Sequence, residues 1–285
     1  VKTLDGRIAD ALRASDRDRY LSTLYAPAEK REDLFALYAF NAEVAAIRDR
    51  IREPLPGEIR LQWWRDVLAA PEGAGDGHPV AAALVRAIDA NGLPRAAFDN
   101  YLDARIFDLY DDPMPSRGDL EGYCGETASA IIQLAALILD RNSAPDHAEL
   151  AGHAGCAQAI AGLLRLLPLH RARGQCYVPR DVLSAAGTSP EEFIAGDAHE
   201  AAGRAVEAMI ALATHHMSAF RKGARLLPQS LRPAFLPVAL VRAYLGKLSR
   251  EPARALRVPA DISEVRRHWI MFRAATRAWG RVVSD

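Results

Sequence analysis

Apolar residues recur three and four positions apart along most of this chain, and no stretch alternates in the manner of a half-buried strand. Glycine and proline punctuate that pattern rather than pervade it. Residues 28–52 read as one long helix of Ala, Leu, Glu and Arg that stops before Pro54, because a residue preceding proline resists the α conformation. Pro56-Gly57 reads as a turn, 58–70 as a short helix carrying Trp63 and Trp64, and the Gly- and Asp-rich 71–79 as a loop. Helices are expected over 80–91, 94–111, 117–140 and 147–167, with Asp119 as the cap of the 117–140 helix behind Pro115 and Gly118. Thr188-Ser189-Pro190-Glu191-Glu192 has the form of a cap followed by proline in the first turn. Long helices at 198–227, 231–250 and 261–280 complete an all-α chain, expected to fold as one domain over 1–285.

The two longest apolar runs, 128–139 and 157–169, are broken by Gln133 and Arg165 and fall short of the ~18 residues of a membrane span. They read as buried helices of a large bundle. Half of the 285 residues are hydrophobic, which supplies a substantial core. Basic and acidic residues balance at 36 each, so no global field draws the chain to nucleic acid, and no groove-binding motif appears. Cys124, Cys156 and Cys176 lack metal-ligand spacing and leave an odd thiol, which favours a reducing compartment. The opening Val-Lys-Thr-Leu-Asp carries no signal-peptide pattern and no initiator Met. A cytoplasmic or mitochondrial-matrix-like setting, soluble or peripheral to a membrane, is the expectation.

Three segments carry a resemblance. The first is Arg31-Glu-Asp-Leu-Phe-Ala-Leu-Tyr-Ala-Phe-Asn-Ala-Glu-Val-Ala-Ala-Ile-Arg-Asp49. The second is Tyr123-Cys124 followed by Ala128-Ser129, and the third runs from Gln158 through Arg165 into Gly174 and Tyr177-Val178-Pro179. Together, in this order, they resemble the squalene/phytoene synthase family. The resemblance implies an all-helical prenyl-synthase bundle around a deep central cavity, with Phe40, Glu43, Ala128 and Gln158 facing it. It also implies two helices that each carry aspartates four apart. Side chains at i and i+4 share a helix face, so two such pairs can hold Mg²⁺ against a prenyl diphosphate.

This chain departs from that pattern. Asp49 remains, but its partner positions are Ala45 and Ala46; Glu53 lies four residues beyond it, next to Pro54. In the third segment the aspartate positions are Leu166 and His170. Leucine ligates nothing, and Mg²⁺ prefers oxygen to imidazole. The surroundings are basic, with Arg48, Arg50 and Arg52 near the first site and Arg165, Arg171 and Arg173 near the second. Arg48, Arg165, His170, Arg171 and Arg173 either bind an anion directly, such as a prenyl diphosphate or phospholipid head group, or form a solvated helix end pairing with Glu43, Asp49, Glu53 and Asp181. Asn41-Ala42-Glu43, the 60–65 Arg-Leu-Gln-Trp-Trp-Arg run and Arg165…Pro168…His170 narrow the resemblance to the branch of the mitochondrial complex I assembly factor and its bacterial relatives.

Two readings follow. One is a non-catalytic protein, without cofactor, that assists complex I subunits or assembly proteins or binds a lipid. The other is an active head-to-head prenyltransferase using Mg²⁺ with Asp49, Glu53, Tyr123 and carboxylates of the 103–112 region. A helical scaffold with a filled core is a third class. Among other candidates, Trp63-Trp64 reads as one core residue beside one half-wet one. The adjacent His215 and His216 point about 100° apart and cannot chelate one ion from a single helix. Asp108, Asp111 and Asp112 before Pro113 read as the polar end of a helix, His153 as a core hydrogen-bonding group and Cys124 as an inert thiol. Arg266, Arg267, Trp269, Phe272, Arg273 and Arg277 make the last helix a candidate peripheral membrane contact.

Overall fold

Every regular element among the described residues (4–70, 75, 77–196 and 199–277 of the computed structural model) is helical. In chain order these are α1 (Leu4–Ser15), α2 (Arg17–Thr23), α3 (Arg31–Ala45), α4 (Pro54–Ala69), α5 (Pro79–Asn91), α6 (Arg95–Ile106), α7 (Arg117–Cys124) and α8 (Ala130–Leu139). Then come α9 (Ala148–Arg165), α10 (Leu167–Ala172), α11 (Arg180–Ala186), α12 (Pro190–Ala195), α13 (His199–Gly223), α14 (Arg232–Phe235), α15 (Val241–Leu248) and α16 (Glu264–Thr276). The chain gathers into two compact units. The first comprises Val1–Tyr110, Ala130–Ala148 and Leu227–Pro237; the second comprises Asp111–Ser129, Glu149–Leu226 and Val238–Asp285.

In the first unit α3 supplies the hydrophobic centre. Phe40 is fully buried and meets Trp64 edge-on at 4.9 Å, Phe98 at 5.7 Å and Tyr101 at 5.3 Å. The Tyr101 hydroxyl would be costly to bury alone, and it donates to Asn41 Oδ1 at 3.0 Å. Of the adjacent tryptophans Trp64 is buried and Trp63 is half-exposed, as the helical spacing expects. In the second unit the long α13 contributes Ala202, Ala205, Val206, Met209, Ala213 and Phe220, while α9 presents a small-residue face of Ala151, Ala154, Gly155, Ala157 and Ala161. That face lets backbones approach closely: Ser129 Oγ donates to Gly152 O at 3.0 Å.

Several element limits differ from the sequence expectation, each for a local reason. The 28–52 helix ends at Ala45. A 3-10 turn follows at Arg48–Arg50, then extended backbone at Ile51 (φ −123°) and Glu53 (φ −116°). Pro54 is therefore not a stop but N1 of α4, where its missing N–H has no intrahelical bond to lose. Pro56-Gly57 lies inside that first turn rather than forming a turn of its own. Ser116, not Asp119, caps α7, accepting from the Asp119 amide at 3.2 Å. The expected 231–250 helix is divided because Pro237 interrupts it, leaving α14, a 3-10 stretch and α15. The Ser189–Glu192 capping box forms as expected, with Pro190 at the helix start. α16 ends at Thr276; residues 278–280 of the expected helix, and 71–74 and 76 of the expected loop, lie outside the described residues.

Between α7 and α8 the chain makes a π turn at Gly125–Ser129, so that Arg117–Leu139 runs as 23 continuous helical residues. This helix is long and apolar enough to cross a membrane by length and composition, which exceeds the uninterrupted apolar run read from the sequence. Its most apolar window is 61% buried inside the protein, so much of that surface already belongs to the core.

Candidate functional site

The residues named from the first segment do not assemble into a carboxylate pair. Asp49 is exposed on the 3-10 turn, and Glu53 is exposed at the position before α4. They share no helix, so the i, i+4 stacking expected of them is absent. Ala45 and Ala46 end α3, Arg48 is half-buried, and Phe40 is the core residue already described. Glu43 faces His78, whose Nε2 is 3.5 Å from its carboxylate. Burial raises the Glu43 pKa, while His78 and Arg50 pull it back down. The His78 ring also lies 5.1 Å from Trp63 and 5.5 Å from Trp64, and its Nδ1 caps α5 by accepting from Ala81. Two carboxylates of the 103–112 region have partners: Asp103 pairs with Arg65, and Asp108 with Arg105 at 2.9 Å.

The third segment is built around its arginines. α9 breaks at Leu166, which is 40% exposed, and restarts as α10 with Pro168 in its first turn. Arg165 stacks over Tyr244 at 4.0 Å, donates to Ala260 O at 3.1 Å and stands 3.7 Å from Asp261. Arg171 sends Nη1 to Leu256 O at 2.7 Å and Nη2 to Ile194 O at 3.1 Å. Burial, then the nearby Arg257, lowers its pKa below that of an ordinary guanidinium. None of the acids named from the sequence is among these partners; the guanidinium groups tie α9 to the carbonyl of Ala260, and α10 to the carbonyls of Ile194 in α12 and Leu256. Arg173 is exposed at the end of α10.

His170 is half-buried with its ring 4.9 Å from Tyr177, which in turn lies 6.0 Å from Tyr123. The position that would carry a carboxylate thus belongs to an aromatic row. Ala128 is buried in the π turn and Gln158 is half-buried on α9. Among the described residues no group of three or more His, Cys, Asp or Glu is placed to hold a metal ion. The donor chemistry agrees with that geometry, since Leu166, His170, Ala45 and Ala46 offer Mg²⁺ no oxygen. Mg²⁺ does not fit these positions. All three cysteines are buried; burial pushes the Cys176 thiol up to about 11, and a hydrogen bond with Cys124 lowers the pKa of Cys156.

A polar chain that the sequence did not reveal runs through the second unit. His153 Nδ1 and His216 Nδ1 are 3.0 Å apart, His216 Nε2 is 3.1 Å from Glu121, and Arg117 bonds the same carboxylate at 3.2 Å. With Glu121 accepting from His216 Nε2–H, a neutral His216 accepts at Nδ1 from His153. Protonating His216 would set two N–H groups against each other. No local signal could have found this, because the three elements are remote in sequence and only packing joins them. Burial holds the pKa of His216 below its ordinary 6.5; Glu121 opposes that shift, and His153 and His215 add to it. The unfolded chain therefore takes up this proton at higher pH than the folded one. The associated stability is present above about pH 6.5 and is lost as pH falls toward the depressed folded value. The urea midpoint of the wild type should drop more between about pH 7.5 and about pH 5.5 than that of His216→Gln. Parallel profiles would refute the assignment.

Comparison with known proteins identifies the frame. Residues 12–271 match the family model described as squalene/phytoene synthase. The chain is 32% identical over 243 residues to NADH dehydrogenase (ubiquinone) complex I, assembly factor 6 of Bos taurus, covering 85% of this chain and 72% of that protein. It is 27% identical over 265 residues to a presqualene diphosphate synthase of Sinorhizobium fredii, covering 90% and 92%. A crystal structure of a dehydrosqualene synthase in complex with ligand superposes with a TM-score of 0.78 at 19% identity, covering 95% of each chain. The all-α bundle is thus the same fold. The chain belongs to the squalene/phytoene synthase family.

Proposed function

We propose that this protein is a non-catalytic member of its family that supports the assembly of NADH:ubiquinone oxidoreductase. The observation that carries the reading is the chemistry at the aspartate positions: Asp49 alone keeps a carboxylate, while Ala45, Ala46, Leu166 and His170 place no side-chain oxygen where a diphosphate-bound metal would need one. The similarity to complex I assembly factor 6 supports the assembly role. Arg165 and Arg171 support it from another side, because both guanidinium groups are engaged in bracing the backbone. Work on protein partners inside a reducing, matrix-like or cytoplasmic compartment agrees with three buried thiols.

A second reading, a head-to-head prenyltransferase, draws on the similarity to a presqualene diphosphate synthase. One assay separates them. Purified protein is given farnesyl or geranylgeranyl diphosphate with and without Mg²⁺, beside an authentic synthase, and released diphosphate is measured. The expected result is no magnesium-dependent release from folded protein. Release accompanied by a condensed hydrocarbon would establish the second reading. The assembly role itself is read by deleting the gene in its source organism: fully assembled complex I on native gels falls and recovers with the wild-type gene. Unchanged complex I would overturn it.

A further inference from the structure

α16 is amphipathic twice over. Its inner face is fixed by Met271 and Ala274, both essentially fully buried, and by Arg267, only 5% exposed. Arg267 reaches Glu264 at 2.6 Å, Asp261 at 2.9 Å and the Tyr244 hydroxyl at 3.3 Å. A buried guanidinium held by two carboxylates sets the rotation of the helix, so what points outward is specified rather than incidental. The outward row is apolar: Val265 is 81% exposed, Trp269 55% and Phe272 50%, with the last two rings stacked at 6.2 Å. At about 100° per residue, Val265, Trp269, Phe272 and Thr276 fall within one narrow stripe opposite Arg267 and Ala274. Arg266 and Arg273 line one side of the stripe and His268 the other, while Arg277 follows the helix end.

The charge around the stripe is lopsided. From 250 to 277 there are seven arginines (250, 254, 257, 266, 267, 273, 277) against three acids (251, 261, 264) in a chain whose total charge is balanced. All three acids are paired, Asp261 and Glu264 with Arg267 and Glu251 with Arg254 at 3.3 Å. A second copy of this chain would bring the same basic rim against itself, which disfavours a symmetric dimer on this face. A half-wet Trp and Phe beside arginines instead suits the headgroup boundary of an anionic bilayer.

We infer that α16 docks on an anionic lipid surface, inserting Val265, Trp269 and Phe272 while Arg266, Arg273 and Arg277 meet the headgroups. The inference does not depend on the assembly reading, and its test involves neither diphosphate nor complex I. The full chain is floated with phosphatidylcholine vesicles, with and without phosphatidylglycerol. Wild type should float with the phosphatidylglycerol vesicles and detach at high salt. Trp269→Ala/Phe272→Ala should bind roughly tenfold more weakly or worse, because bound strength scales with inserted apolar area. Both side chains are half-exposed, so circular dichroism should show an unchanged fold; Arg266→Gln/Arg273→Gln, which spares the stripe, should lose the preference for phosphatidylglycerol. Three results would overturn the inference: wild type that does not float, a double aromatic variant that floats equally, or equal binding to pure phosphatidylcholine. So would a wild-type dimer that the aromatic variant disperses without any vesicle binding, which would make the stripe a protein interface.

Discussion

Gly155→Ala should lower stability by about 3 kcal/mol, near the upper end of what one added methyl group does in a packed interior. A Cβ at Gly155 would stand 2.5 Å from Ser129 Cα and nearer still to the Ser129 amide nitrogen and Oγ. Two of those three atoms are backbone, so no rotamer change relieves the overlap. The π turn at Gly125–Ser129 and α9 would have to separate, and the Ser129–Gly152 hydrogen bond opposes that. Ser129→Ala should therefore fail to rescue Gly155→Ala, since deleting Oγ leaves the backbone clash in place. Gly162→Ala, on the same helix with nothing within 4 Å of its added Cβ, is the control. It should be neutral or stabilising by up to about 1 kcal/mol, because alanine is the better helix former. Urea denaturation followed at 222 nm reads all four proteins. If Gly155→Ala melts with Gly162→Ala, the close approach of the π turn to α9 is wrong.

That contact shows where the sequence was readable and where it was not. The signature segment Tyr123-Cys124…Ala128-Ser129 was visible as a string, but nothing in it announces an extra residue in the helical turn. A π turn is favoured by what lies against it, here Gly155, and not by its own residues. The helices themselves were legible because burying one face of each imposes a 3.6-residue period on the whole chain. Prolines were legible as punctuation yet ambiguous in sign: Pro54, read as a stop, is a start, because the first turn tolerates what the interior cannot. The resemblance is what implies aspartates at Leu166 and His170, and the frame around those two positions that carries it was readable as a string. What stands in their place was not. Arg165 is held by Tyr244 and Ala260, and the two Nη groups of Arg171 by Leu256 and Ile194, all partners set by tertiary packing and, in the case of the three carbonyls, independent of side-chain type.

Arg171→Ala should cost about 2–3 kcal/mol, because two charge-assisted hydrogen bonds disappear and the carbonyls of Ile194 and Leu256 lose their donors. Arg171→Lys should recover less than half of that. Lysine keeps the charge but is a point donor, whereas the planar guanidinium reaches two carbonyls at once. Gly196 sharpens the case, since a Cβ there would stand 2.5 Å from Arg171 Nη2, so the guanidinium fills the space the glycine leaves. The positive φ of 90° at Gly196 adds a second reason for glycine at this spot. Thermal melts with and without inorganic diphosphate separate bracing from anion binding. A brace gives a lower melting temperature for Arg171→Ala without ligand, and no diphosphate-dependent rise that the substitution removes. An anion clamp gives the reverse: unchanged melting without ligand, and a wild-type stabilisation by diphosphate that vanishes in the variant. The second pattern would make Arg171 the anion-binding residue that the basic surroundings of its segment also allowed, and diphosphate chemistry would then remain open to this site.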